Sequence, residues 1–118
     1  MDGIYVDLIS KEPLFSSHDK VYNARGVATF SKGFTDENFH KEVYEAYGFK
    51  SIILKSKDQK NNLGVITEAP GNIKEDLFEV NSHALQFVKA ESLKQEGYPL
   101  FEKLFKVKKW SLDMVNWS

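Results

Sequence analysis

Two β-prone runs, residues 49–57 around Ile52-Ile53-Leu54 and Leu63-Gly64-Val65-Ile66-Thr67-Glu68, are joined by the turn sequence Asp58-Gln59-Lys60-Asn61-Asn62. Such a connection is long enough for a hairpin loop and too short for a crossover helix, so the two strands must be antiparallel neighbours. The rest of the chain has to be arranged around this hairpin. Upstream, residues 21–31 read as one strand, with Tyr22, Ala24, Gly26, Ala28 and Phe30 on one face and Val21, Asn23, Arg25, Val27 and Thr29 on the other. Lys32-Gly33 ends it. Thr35 then has the chemistry of a helix N-cap, followed by Asp36 and Glu37 at the positive end of the helix dipole. Phe39, Val43, Ala46 and Tyr47 form an apolar stripe, and Gly48 is placed to stop the helix.

Downstream of Pro70-Gly71, Asn72 and Glu75 make a capping pair, and Ile73, Leu77, Val80, Ala84, Phe87 and Val88 follow helical spacing. A break is expected near Asn81-Ser82-His83, a stop at Gly97 and a short helix from Pro99. Residues 107–117 alternate Trp110, Leu112 and Met114 against Lys109, Ser111 and Asp113, as a half-buried strand does. The order strand, helix, strand, strand, helix, strand predicts an α+β fold, a ferredoxin-like βαββαβ antiparallel sheet. Residues 1–20 form an N-terminal arm and residues 21–118 the domain. The expected core comprises Val27, Phe39, Val43, Tyr47, Ile53, Val65, Leu77, Val80, Phe87 and Leu112.

With 118 residues the chain has room for one core, and its Lys+Arg 16 against Asp+Glu 17 removes the basic excess that non-specific nucleic-acid binding needs. Cysteine is absent. Disulfides, a thiolate nucleophile and Cys-ligated metal are therefore excluded from these residues. His18, His40 and His83 have no metal-ligand spacing, so neither a metal nor another cofactor is expected. The glycines form no phosphate-binding fingerprint, and the acidic pairs are explained by helix starts. The N-terminus lacks the features of a secretory signal and no run is long enough to span a membrane, which makes a cytoplasmic location the expectation.

Element order, the run Gly48-Phe49-Lys50-Ser51-Ile52-Ile53-Leu54, the run Val65-Ile66-Thr67-Glu68 and the pair Ser82-His83 together resemble the antibiotic-biosynthesis monooxygenase family. The resemblance implies a dimeric α+β barrel: a homodimer with an apolar pocket in each subunit for a small apolar or aromatic ligand. It further implies a cofactor-independent monooxygenase acting on an aromatic substrate, with Asn23, Tyr47 and His83 as catalytic residues. A haem-degrading branch would need a Trp where Ile73 stands. The competing reading is a non-enzymatic protein-interaction module with a protein partner, such as an immunity protein or a phage-encoded inhibitor, consistent with the lack of a catalytic motif.

Overall fold

The computed structural model describes residues 1–68 and 76–105. The described residues form nine strands: β1 (Gly3–Asp7), β2 (Pro13–Ser16), β3 (Lys20–Val21), β4 (Ala28–Phe30), β5 (Phe39–Ala46), β6 (Phe49–Ser56), β7 (Asn62–Glu68), β8 (Asp76–Val80) and β9 (Leu85–Lys89). They make two sheets, ordered β2-β1-β9 and β3-β4-β8-β7-β6-β5, with every neighbouring pair antiparallel. Among the described residues, helical structure is confined to single 3-10 turns and a short stretch within residues 99–105.

The ferredoxin-like expectation is thus overturned, because both expected helices are strands. Thr35 does cap a turn, accepting the Glu37 N–H at 3.3 Å, but the turn spans only Asp36–Asn38. From Phe39 onward the chain is extended. Phe39 and Val43 are four residues apart, a spacing shared by a helix face and by every second residue of a strand. With aromatic and β-branched residues in the segment and β6 available to pair, the strand wins. Gly48 does not stop a helix. With Tyr47 it forms the two-residue loop between β5 and β6, at φ values of 79° and 52°, as a type I′ hairpin turn requires. The second expected helix fails for the same reason. Val80, Ala84 and Val88 recur every four residues, yet they lie on β8, on the 3-10 turn Ser82–Ala84 and on β9.

The β6–β7 hairpin forms as the turn sequence required, with Ile52 opposite Ile66 and Ile53 opposite Val65. The single strand expected over residues 21–31 is instead β3 and β4 joined by residues 22–27. The final expected strand, with Trp110 and Leu112, lies outside the described residues, as do Asn72, Ile73 and Glu75.

The main core lies where the smaller sheet packs on the larger. Phe15 of β2 stacks on Phe30 of β4 with ring centroids 4.3 Å apart, and meets Phe39 of β5 at 5.4 Å and Phe78 of β8 at 5.7 Å. Leu14, Leu54, Leu63, Ile66 and Val80 complete the cluster. The other face of the smaller sheet carries Ile4, Val6 and Val88, which pack with Leu93, Phe34, Tyr98, Phe101 and Phe105. Residues 1–20 therefore supply β1, β2 and several fully buried side chains. Of the expected core residues, Phe39 and Val80 are buried, whereas Val43 on β5 and Tyr47 in the β5–β6 turn are exposed. Val27, Ile53, Val65, Leu77 and Phe87 are half-buried.

Candidate functional site

The cross-strand register aligns Thr29 of β4, Glu79 of β8, Val65 of β7, Ile53 of β6 and Glu42 of β5 in one row of the larger sheet. Their immediate neighbours Phe30, Phe78 and Ile66 point into the core, so this row occupies the opposite face. A carboxylate at the centre of a sheet is unusual unless it has a partner. Glu79 has one: Nη2 of Arg25 donates to its two carboxylate oxygens at 2.8 and 2.7 Å. The Glu79 side chain is 15% exposed and that of Arg25 69%.

The loop preceding β4 holds Arg25 over this face. Asn23 and Gly26 close a turn, with the Gly26 N–H donating to the Asn23 carbonyl at 2.9 Å and Gly26 at φ 77°. The Asn23 side chain works in both directions: Oδ1 accepts the Arg25 N–H at 2.8 Å, and Nδ2 donates to the Thr29 hydroxyl at 3.0 Å. That hydroxyl, fully buried, donates onward to the Val27 carbonyl at 2.9 Å. These bonds pair the polar groups with which the turn meets the sheet, which fixes the base of the Arg25 side chain. The face can hold a charge, donate hydrogen bonds from a guanidinium and accept them at a carboxylate.

A second polar cluster stands at the far end of the same row. Glu42 accepts from the Tyr44 hydroxyl at 2.5 Å and from Lys55 Nζ at 3.0 Å, and lies 3.4 Å from His40 Nε2. The Tyr44 hydrogen bond, followed by that of Lys55, holds the Glu42 carboxyl below its ordinary pKa. The same contact with Glu42 pushes the Tyr44 phenol up.

Of the three residues expected to act together, Asn23 belongs to the Glu79 face through Arg25 and Thr29. Tyr47 is 99% exposed at the tip of the β5–β6 hairpin. It stands six residues beyond Lys41, which shares a row with Val80, a separation along the strand of about 20 Å. His83 is exposed on the 3-10 turn after β8, where its backbone N–H is capped by Asn81 at 3.0 Å. Tyr47 is thus remote from the other two, and the trio is not a single constellation. Glu79, Arg25 and Thr29 were missed. Their signal is the alternation Leu77-Phe78-Glu79-Val80, which sets one charge between two core residues and is visible only when the segment is read as a strand.

Among the described residues, no helix is long and apolar enough to cross a membrane. Comparison with known proteins assigns the fold to a family. The SelR domain profile matches residues 1–89, a segment that ends with the last residue of β9 and so takes in both sheets. The peptide methionine sulfoxide reductase MsrB of Staphylococcus saprophyticus subsp. saprophyticus is 37% identical over 106 residues, covering 86% of this chain and 75% of that protein. These matches correct the resemblance to the antibiotic-biosynthesis monooxygenases. They also remove the dimeric α+β barrel, the aromatic-substrate oxygenase and the immunity-protein or inhibitor readings that went with it or competed with it. Since the match covers three-quarters of the sequence and every strand described above, this chain belongs to the SelR domain family.

Proposed function

We propose that this chain is a domain of the peptide methionine sulfoxide reductase type that recognises oxidised methionine in peptides but holds no internal thiol to reduce it. The observation that carries the substrate class is the SelR match together with the identity to a reductase of that name. Chemistry limits the rest. Converting a dialkyl sulfoxide to the thioether consumes two electrons and two protons and releases water, as the sulfur–oxygen bond breaks. Among side chains, the dithiol–disulfide couple of cysteine supplies two electrons reversibly, and these 118 residues contain no cysteine. The electrons of a reductive turnover must therefore come from outside them, for instance from a free dithiol that is oxidised to its disulfide.

What these residues contribute is recognition. A sulfoxide oxygen is a strong hydrogen-bond acceptor without formal charge, and the exposed guanidinium of Arg25 carries donors beyond the nitrogen that serves Glu79. The half-buried Val27, Val65 and Leu77 offer apolar surface for the methyl and methylene groups beside the sulfur.

The test uses one peptide in two forms, containing methionine or its sulfoxide, in titration calorimetry with the full chain. Binding of the sulfoxide form at least about tenfold tighter, and its loss in Arg25→Ala, is the expected result. Equal affinity for the two forms overturns the recognition role. Without added reductant, a stoichiometric amount of protein should consume no sulfoxide; consumption of one equivalent would refute the claim that the electrons are external.

A further inference from the structure

Strand β5 is an edge of the larger sheet among the described residues. It runs for eight residues in unbroken register with β6, from Phe39 opposite Ser56 to Ala46 opposite Phe49. Edge strands in native proteins are usually short, bulged or covered, because their free N–H and C=O groups are a template for another strand. This one is long and regular, and it exposes Val43 and Tyr44, each at 55%.

Backbone geometry states which residues are available. In a two-residue hairpin the residues flanking the loop form a hydrogen-bonded pair, and the pattern alternates from there. Ala46, Tyr44, Glu42 and His40 therefore direct their backbone groups toward β6, whereas Glu45, Val43, Lys41 and Phe39 direct theirs toward the open edge. A second β5 that adds antiparallel about a two-fold axis must bring outward-facing residues opposite one another, which leaves few registers.

Side-chain charge disfavours three of them and favours one. Centring the axis on Lys41 or on Glu45 places identical charges face to face, and centring it on Glu42 sets two carboxylates opposite each other. Centring it on Val43 does the reverse. Val43 meets Val43 of the second copy, Lys41 meets Glu45 and Glu45 meets Lys41, so that opposite charges are paired twice by symmetry. Glu42 then lies opposite Tyr44, the same two side chains that already hydrogen-bond within one chain.

We propose that two copies of this chain associate through β5, antiparallel about a two-fold axis at Val43, to join their larger sheets into one continuous sheet. The proposal is independent of the methionine sulfoxide reading, since no residue of the Glu79 row other than Glu42 takes part.

The test is sedimentation velocity of the full chain over micromolar to near-millimolar concentration. A species of twice the 13.6 kDa protomer mass is expected, and a monomer at every concentration overturns the proposal. Val43→Pro removes an N–H that β6 does not use, so it should abolish the dimer; a dimer that survives it places the interface elsewhere. Lys41→Glu and Glu45→Lys should each weaken association about tenfold by making two like-charged pairs, while the double swap Lys41→Glu/Glu45→Lys should restore it to within about threefold. Failure of the double swap to restore association refutes the register. Circular dichroism on each variant separates loss of pairing from loss of folding, and a monomeric double swap that is fully folded counts against the proposal.

Discussion

Replacing Gly64 by alanine tests the tightest point of the larger sheet. Gly64 faces Val80 where β7 and β8 run side by side, and a Cβ added there would lie 2.1 Å from the Glu79 carbonyl oxygen and 3.0 Å from the Val80 Cα. Ordinary carbon–oxygen contacts between strands are about 3.3 Å or longer, so the methyl group intrudes by roughly 1 Å. Both obstructing atoms are backbone, and no side-chain rotation relieves them. β7 must move away from β8 by a comparable amount, which weakens ladder bonds worth about 1 kcal/mol each and loosens the packing of Ile66 on Phe78. The expected cost is about 2–4 kcal/mol, seen as a fall in Tm of roughly 8–16 °C for a domain of this size. Gly48→Ala is the control. Nothing lies within 4 Å of a Cβ there, and only the positive φ of the turn is penalised, at about 1 kcal/mol. Thermal melts followed by far-UV circular dichroism decide the matter: a Gly64→Ala Tm within about 3 °C of the parent, or a larger loss for Gly48→Ala, refutes the placement of β7 against β8.

Two further outcomes can be checked by urea unfolding. Asp7 is fully buried, with Oδ1 accepting from Ile9 N at 2.8 Å, Ser10 N at 3.2 Å and Asn61 Nδ2 at 3.0 Å, so Asp7→Ala should cost about 2–4 kcal/mol; Asp7→Asn, which keeps an acceptor oxygen, should cost distinctly less, and equal losses would contradict this assignment. Glu42 has a folded pKa lowered by Tyr44 and Lys55, so its stabilising contribution relative to Glu42→Gln is full above about pH 4.5 and disappears as pH falls through the depressed value; a difference between the two proteins that persists at about pH 2 would be inconsistent with that pairing.

How far the fold could be read from the residues depends on which signals were unambiguous. The β6–β7 hairpin could be read because its linker is too short for any alternative. The β5 and β8 segments could not, since apolar residues four apart satisfy both a helix and a strand, and Thr35 and Asn81 cap single 3-10 turns with the chemistry that caps a longer helix. What decides such a segment is the partner strand, and partnership across the chain is not written locally. The site followed the fold. Asn23 entered through the same resemblance as His83, and Glu79 is conspicuous only once Phe78 and Val80 are known to point into the core. Tyr47 and His83 were drawn in by a resemblance to a different architecture, and the edge and turn positions they hold leave them apart.

The place of β1 in the smaller sheet has a consequence for how the molecule is made. β1 is synthesised before the other described strands, and on one side it pairs with β2, which follows almost at once; on the other it waits for β9, the last strand described. Contacts near that seam join very distant positions: the Lys11 ammonium reaches Gln86 across 75 residues, and the Tyr98 hydroxyl reaches the Lys11 carbonyl across 87. Closing loops of this length before any contact rewards them makes folding slow compared with a chain of local pairings. On the ribosome, a nascent chain that has not yet released residues 85–89 carries the β1–β2 hairpin with Ile4 and Val6 facing no partner and one backbone edge open. The interval between making β1 and making β9 is therefore when this protein is most in need of a chaperone, and codons that slow translation between them would lengthen that exposure.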